Sequence, residues 1–129
     1  MSLLLLLVLA IVAPVPQEGS RKPQQHNTKT EVSNYFCVGE ADKGRYTMTL
    51  VVIKDQDNYY FRWTDVNKVE SSGVGVRQGN SLAVIYQQSN GIGVASYLIT
   101  PKGLDGKWAV GDGRAFEEFC ELKGKSEKL

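Results

Sequence analysis

The residues able to do chemistry in this 129-residue chain are few and widely spaced. Acid–base catalysis on an imidazole has one candidate, His26, which sits in the polar stretch QEGSRKPQQHNTKTEVS, where nothing would hold it within reach of a nucleophile. Zinc and copper need clustered nitrogen and sulfur ligands, and one histidine with two distant cysteines does not supply them. Paired carboxylates could act as acid and base. Glu117 and Glu118, however, are neighbours in a strand-like run and so point to opposite faces, while Asp55 and Asp57 belong to the turn DQDN. These acids read as solvated surface. Arg62 falls on the solvent side of its strand by alternation and Arg77 lies in a turn, so both read as surface charges. No catalytic residue, no metal ligand and no cofactor is expected on these grounds.

The aromatic residues offer more. Tyr46, Trp63, Tyr86, Tyr97 and Trp108 each combine a large apolar face with a hydroxyl or an indole N–H. Together they are candidates for a ligand floor, and such residues also serve simply as core.

These side chains must be positioned by strands. From Asn34 onward, NYFCV, RYTMTLVVIK, YYFRWTD, KVESSGVGV, SLAVIYQQ, IGVASYLIT, LDGKWAV and RAFEEFCEL are runs rich in Val, Ile, Thr and aromatics, separated by turn residues. Asn90-Gly91 is a strong hairpin signal. The connections are too short for parallel crossovers, and no segment has a long helical period. The expected fold is all-β, an eight-stranded antiparallel up-and-down barrel whose closure removes the exposed sheet edges. An open two-layer sandwich is the competing architecture.

The run Gly73-x-Gly75-x-x-x-Gly79 raises the question of a phosphate loop. Such a loop leads into a helix N-terminus, whereas Gly79-Asn80 leads into SLAVIY, which alternates like a strand. It therefore reads as a turn, with Gly73, Gly75 and Gly93 inside strands, where glycine permits the coiling of a small barrel.

Period-two alternation assigns the faces. It puts Tyr46, Met48, Leu50 and Val52 inside, with Tyr59, Phe61 and Trp63, then Leu82, Val84 and Tyr86, then Leu104, Trp108 and Phe116. In the fourth strand Val74 and Val76 are expected inside and Gly73 and Gly75 outside; the sixth strand stays ambiguous between Val94 and Leu98 on one side and Tyr97 and Ile99 on the other. An eight-stranded barrel is only just wide enough for its own side chains or one small ligand. Any pocket is expected to be shallow and at one open end.

The N-terminal apolar run Leu3 to Ala13, ended by Pro14 and Pro16, is shorter than the about 20 residues that span a bilayer. It has the length of a secretory core segment. The expected organisation is a signal peptide over residues 1–19, a flexible spacer over 20–33, the barrel over 34–123 and a charged tail over 124–129. The chain is then secreted or periplasmic, with no stable membrane insertion after signal removal. Fifteen basic and fourteen acidic residues alternate without blocks and leave a formal charge of +1, so no nucleic-acid partner is expected.

In a secreted chain an even cysteine count points to a disulfide. Cys37 lies on the first strand and Cys120 on the last, which a closed barrel makes neighbours, so pairing and topology support each other. Two separate buried thiols are the alternative.

The segments GRYTMTLVVIKDQDNYYFRW, GVGVRQGNSLAVIY, GIGVASYLI and GLDGKW resemble small secreted bacterial proteins of lipocalin-like, or calycin-like, barrel type, over Tyr35 to Leu122. That resemblance implies a barrel and no specific activity. The lipocalin Gly-x-Trp has its nearest counterpart in Gly44-Arg45-Tyr46, one strand late, and no biotin or lipocalin ligand residue carries over. The expected function is a secreted, non-enzymatic binding protein for a small apolar or aromatic ligand at one barrel end. A protein-binding module such as an envelope-associated protease inhibitor is the alternative, and a carboxylate-dependent hydrolase the remote one.

Overall fold

The structure, a computed structural model, describes residues 29–111 and 113–128. The signal peptide expected over 1–19, most of the spacer expected over 20–33 and His26 lie outside the described residues. Eight strands follow in chain order: β1 (Thr30–Ala41), β2 (Gly44–Asp55), β3 (Asn58–Asp65), β4 (Glu70–Gln78), β5 (Ser81–Gln88), β6 (Gly91–Thr100), β7 (Gly103–Val110) and β8 (Ala115–Lys128). Each pairs antiparallel with its neighbours in sequence, and β1 pairs with β8, so the sheet is an up-and-down barrel and not a sandwich. Gly79 and Asn80 are the two-residue turn between β4 and β5, with Gly79 at φ 60°, a left-handed conformation that costs glycine little.

The outer strands run further than their apolar residues indicate. β1 begins at Thr30, inside the expected spacer, and β8 continues to Lys128, through the expected tail. Residues 30–34 pair with residues 124–128. The register shifts between Asn34 and Tyr35, which pair with Gly124 and Leu122 and leave Lys123 as a bulge that bends β8. Lys125 pairs with Glu31 at 3.0 Å, and Lys29 with Glu127. Such exposed pairs add about 1 kcal/mol or less each, but charge along this extension discourages pairing with another chain.

Cys37 and Cys120 lie directly opposite in the β1–β8 ladder, fully buried, and form the expected disulfide across 83 residues of sequence. A structural disulfide suggests an extracytoplasmic environment.

The inward set read from alternation holds in β2, β3, β5, β7 and β8, and in β6 the lumen takes Gly93, Ala95 and Tyr97 while Val94 and Leu98 face out. β4 is the correction. Gly75 is buried, Gly73 is half-buried, and Val74 and Val76 are 51% and 64% exposed. The cause is space. Phe61 and Tyr59 on β3 sit directly opposite Gly73 and Gly75, and a Cβ on Gly75 would lie 2.9 Å from the Phe61 ring. A valine there would compete with aromatic rings for a lumen only just wide enough for side chains.

At the end of the barrel near the β2–β3, β4–β5 and β6–β7 turns, Leu50, Val52, Tyr59, Phe61, Leu82, Val84 and Leu104 fill the interior. Phe61 stacks on Trp63 at 5.4 Å and on Tyr97 at 6.3 Å between ring centroids, contacts worth about 0.5–1.5 kcal/mol each beyond their burial. The opposite end is not filled.

Candidate functional site

A cavity of about 250 Å³ opens at that second end, lined by Ala41, Tyr46, Met48, Trp63, Ser71, Tyr86, Gln88, Tyr97, Trp108 and Glu118. All five aromatic residues singled out in the sequence line it. Trp63 meets Tyr86 edge-on at 5.7 Å, and Trp108 meets Tyr46 edge-on at 6.2 Å and Phe116 at 4.9 Å. The walls therefore combine aromatic rings with tyrosine hydroxyls.

Glu118 corrects the expectation that the paired carboxylates are solvated surface. Its neighbour Glu117 is exposed, but Glu118 is only 5% exposed and lines the cavity. Strand phase and residue type point opposite ways here: Phe116 and Cys120 both face inward, and the residue midway between them does the same although it is a carboxylate. Tyr46 donates to its Oε2 at 2.5 Å and Tyr97 donates to its Oε1 at 2.9 Å.

The register explains why two tyrosines converge on one carboxylate. Tyr46 on β2 lies opposite Gly39 on β1, and Gly39 lies opposite Glu118 on β8. On the other side Tyr97 on β6 lies opposite Gly106 on β7, which in turn lies opposite Glu118. Each ring thus crosses a glycine on the intervening strand to reach the acid. A Cβ on Gly39 would stand 2.2 Å from the Tyr46 hydroxyl oxygen, and one on Gly106 would stand 2.5 Å from the Tyr97 ring. Gly39→Ala is expected to destabilise the barrel by about 1–3 kcal/mol in urea unfolding, because the Tyr46 ring must move off Glu118. Gly124→Ala, with open space around its Cβ position, is the matched control and should stay within about 0.5 kcal/mol of the parent.

Burial raises the Glu118 carboxyl above the ordinary carboxylate range, and hydrogen bonds from Tyr46, Tyr97 and Trp63 partly offset this. Burial and then the Glu118 charge push up Tyr46 and Tyr97, and push Tyr86 to about 12. The tyrosines stay protonated at neutral pH and remain donors. Tyr86 donates to the Ala109 carbonyl at 3.3 Å, while the buried Trp108 Nε1–H, which acts on the Tyr46 hydroxyl, has no acceptor in full hydrogen-bond geometry among the described residues.

Ligand-type atoms of Cys37, Cys120 and Glu118 lie within 4.8 Å of one another. Both sulfurs are consumed in the disulfide, so they offer no thiolate to a metal. The Cys120 sulfur, 3.1 Å from Glu118 Oε1, carries no proton and is a contact only. Of the arginines weighed in the sequence, Arg62 is exposed on the outer face, and Arg77 is exposed and donates through Nε to the Gly79 carbonyl at 2.7 Å.

In comparison with known proteins, the chain matches no family model, no curated protein and no solved structure. What the structure shows is an eight-stranded antiparallel closed barrel.

Proposed function

We propose that the protein is a secreted, non-enzymatic binding protein that holds a small, largely apolar or aromatic ligand in the open end of its barrel. The observation that carries this is the half-filled lumen: one end is packed, and the other keeps a cavity of about 250 Å³ walled by Tyr46, Met48, Trp63, Tyr86, Tyr97 and Trp108. Ligand sites are concave, mostly apolar and marked by a few polar groups. The volume falls just below the roughly 300–1,000 Å³ of drug-sized sites, which suits one ring with a short chain. The Trp108 Nε1–H, without an acceptor in full hydrogen-bond geometry among the described residues, is a polar handle that an occupant could satisfy. Glu118 is the one carboxylate among the residues lining the cavity, whereas glycosidase-type hydrolysis works with two.

Titration of the purified barrel with a panel of one-ring aromatic and lipophilic compounds, charged and uncharged, is expected to shift Trp63 and Trp108 fluorescence and raise the melting temperature with at least one of them. At 100 times Kd the ligand adds about 2.7 kcal/mol. A panel that leaves both signals unchanged would overturn the proposal.

Contact with another protein is a second reading, favoured by the outer face of β3 to β6. There Tyr60, Val74, Ile85 and Val94 follow one another across the ladder, each between 45% and 57% exposed. An apolar row of this kind is a common feature of protein contact sites. A barrel carrying Ile85→Lys and Val94→Lys should lose any partner captured from a secreted fraction while keeping its ligand response. Capture that survives both changes argues against this face.

A further inference from the structure

Glu118 is a buried acid that no lysine, arginine or histidine pairs with among the described residues, and it lines the cavity at 5% exposure. The groups that face it inside the barrel are neutral or weakly acidic: Tyr46 from β2, Trp63 from β3, Tyr86 from β5, Tyr97 from β6, and the disulfide that joins β1 to β8, while the charged Glu40, Arg45, Asp105 and Glu117, which border an outer pocket with Glu118, are all exposed. Trp108 from β7 and Ser71 from β4 complete the surrounding wall. Taking a charge out of water without a partner is costly, and the hydrogen bonds from Tyr46, Tyr97 and Trp63 answer only part of that cost. Each carboxylate oxygen accepts one tyrosine proton and retains further lone-pair capacity.

The walls favour the same sign of ligand. Trp63, Tyr86 and Trp108 line the cavity, and an aromatic ring attracts a cation that lies over its face within about 6 Å of the centroid. An anionic ligand would meet Glu118 without a positive group to offset it.

Resting on the reading that the cavity binds a small ligand, we propose that this ligand is an organic cation: a protonated amine on a body of about one ring, its ammonium group paired with Glu118 and its apolar part against Trp63, Tyr86 and Trp108. Pairing draws the carboxyl into its ionised form, because a nearby positive charge favours the carboxylate. Glu118 starts from a raised position, so the amine binds more tightly as pH rises from the acid range toward neutral. The tyrosines remain protonated over that range and contribute no opposing step. A neutral compound of the same shape has no such dependence.

The test uses 2-phenylethylamine and its uncharged analogue 2-phenylethanol, titrated calorimetrically into the intact barrel from pH 4 to 8. The expected result is that at neutral pH the amine binds at least about 30-fold more tightly, the lower end of what removing one partner of a buried charge pair costs. Its affinity should fall on acidification while that of the alcohol stays level, and Glu118→Gln should erase the preference. Equal affinities, or an amine affinity that does not change with pH, overturn the cation assignment and leave ligand binding by the aromatic cavity standing. If the alcohol binds and the amine does not, the sign of the site is wrong. If neither binds while other compounds do, the cation assignment fails alone; if nothing in the wider panel binds, the binding function fails with it. The amine–alcohol comparison in the unaltered protein needs no variant, so a poorly folding Glu118→Gln leaves the test intact.

Discussion

Reducing the Cys37–Cys120 disulfide lowers the melting temperature of the barrel by about 20 °C or more. The bridge closes a loop across 83 residues of sequence, which in the chain-entropy model is worth about 4.5 kcal/mol against the unfolded chain. For a domain of this size each kcal/mol moves the midpoint by about 4–8 °C. The folded state already holds the two strands together: β1 pairs with β8 over ten residues, Thr30 to Gly39, and the cysteines face each other within that ladder. The bond therefore acts mainly on the unfolded ensemble, and the reduced barrel should remain folded at low temperature. Thermal unfolding followed by circular dichroism with and without reductant measures the difference. A Cys37→Ala, Cys120→Ala double variant should melt near the reduced protein and show no response to reductant. Two free thiols in the untreated protein, or an unchanged midpoint after reduction, would falsify the assignment.

The elements that sequence made legible are those whose side-chain types and phase agree. Strands β2, β3 and β5 keep an unbroken alternate set of large apolar residues on one face, while the other face mixes Thr, Arg, Ala and Gln with single apolar residues such as Tyr60 and Ile85, so both existence and orientation could be read. β4 broke that agreement. Its valines look inward by type, but the space facing them belongs to Tyr59 and Phe61, so the smallest residues turn inside and Val74 and Val76 go out. Hydrophobicity ranks a residue alone, whereas a narrow lumen is filled jointly, and only the cross-strand register shows which neighbour has claimed the space. The terminal strand extensions escaped for a different reason. Residues 30–34 and 124–128 pair through backbone hydrogen bonds, and their charged side chains leave no apolar period to mark them.

The five aromatic residues of the cavity were legible because large amphipathic side chains at inward positions have few other places to go. Glu118 was not, because its type outweighed its phase. A carboxylate is rarely buried, and beside Glu117 it resembles one of two surface charges. Gly39 and Gly106 carried the missing information. In the sequence Gly39 reads as the start of a turn and Gly106 as an ordinary strand glycine, yet each is the gap through which a tyrosine on the next strand reaches the acid.

Glu118→Gln should make the barrel more stable than the parent at neutral pH, by several degrees, and the advantage should shrink as the pH is lowered. The sign follows from the direction of the carboxyl's displacement. Burial raises Glu118 above the ordinary carboxylate range, so over the interval between its unfolded and folded positions the native state binds the proton that the unfolded state has released. Stability is then greatest below the unfolded carboxylate pKa, about 4.3 for glutamate, and declines as pH rises through the folded one. Glutamine keeps the shape and an acceptor for one tyrosine, and it has no proton to lose. The groups packed against this side chain do not blur the comparison. Tyr46, Tyr86 and Tyr97 are themselves pushed upward and stay protonated from pH 4 to 8. Melting temperatures of the two proteins across that range are the measurement. Curves that run parallel at every pH would mean that Glu118 titrates as if solvated, and the buried acid would lose its standing as the charged group of the cavity. If the variant gains stability at neutral pH but loses affinity for an amine, the site holds an acid that costs the fold stability and serves the ligand. That trade between stability and binding is what distinguishes a functional buried carboxylate from a structural one.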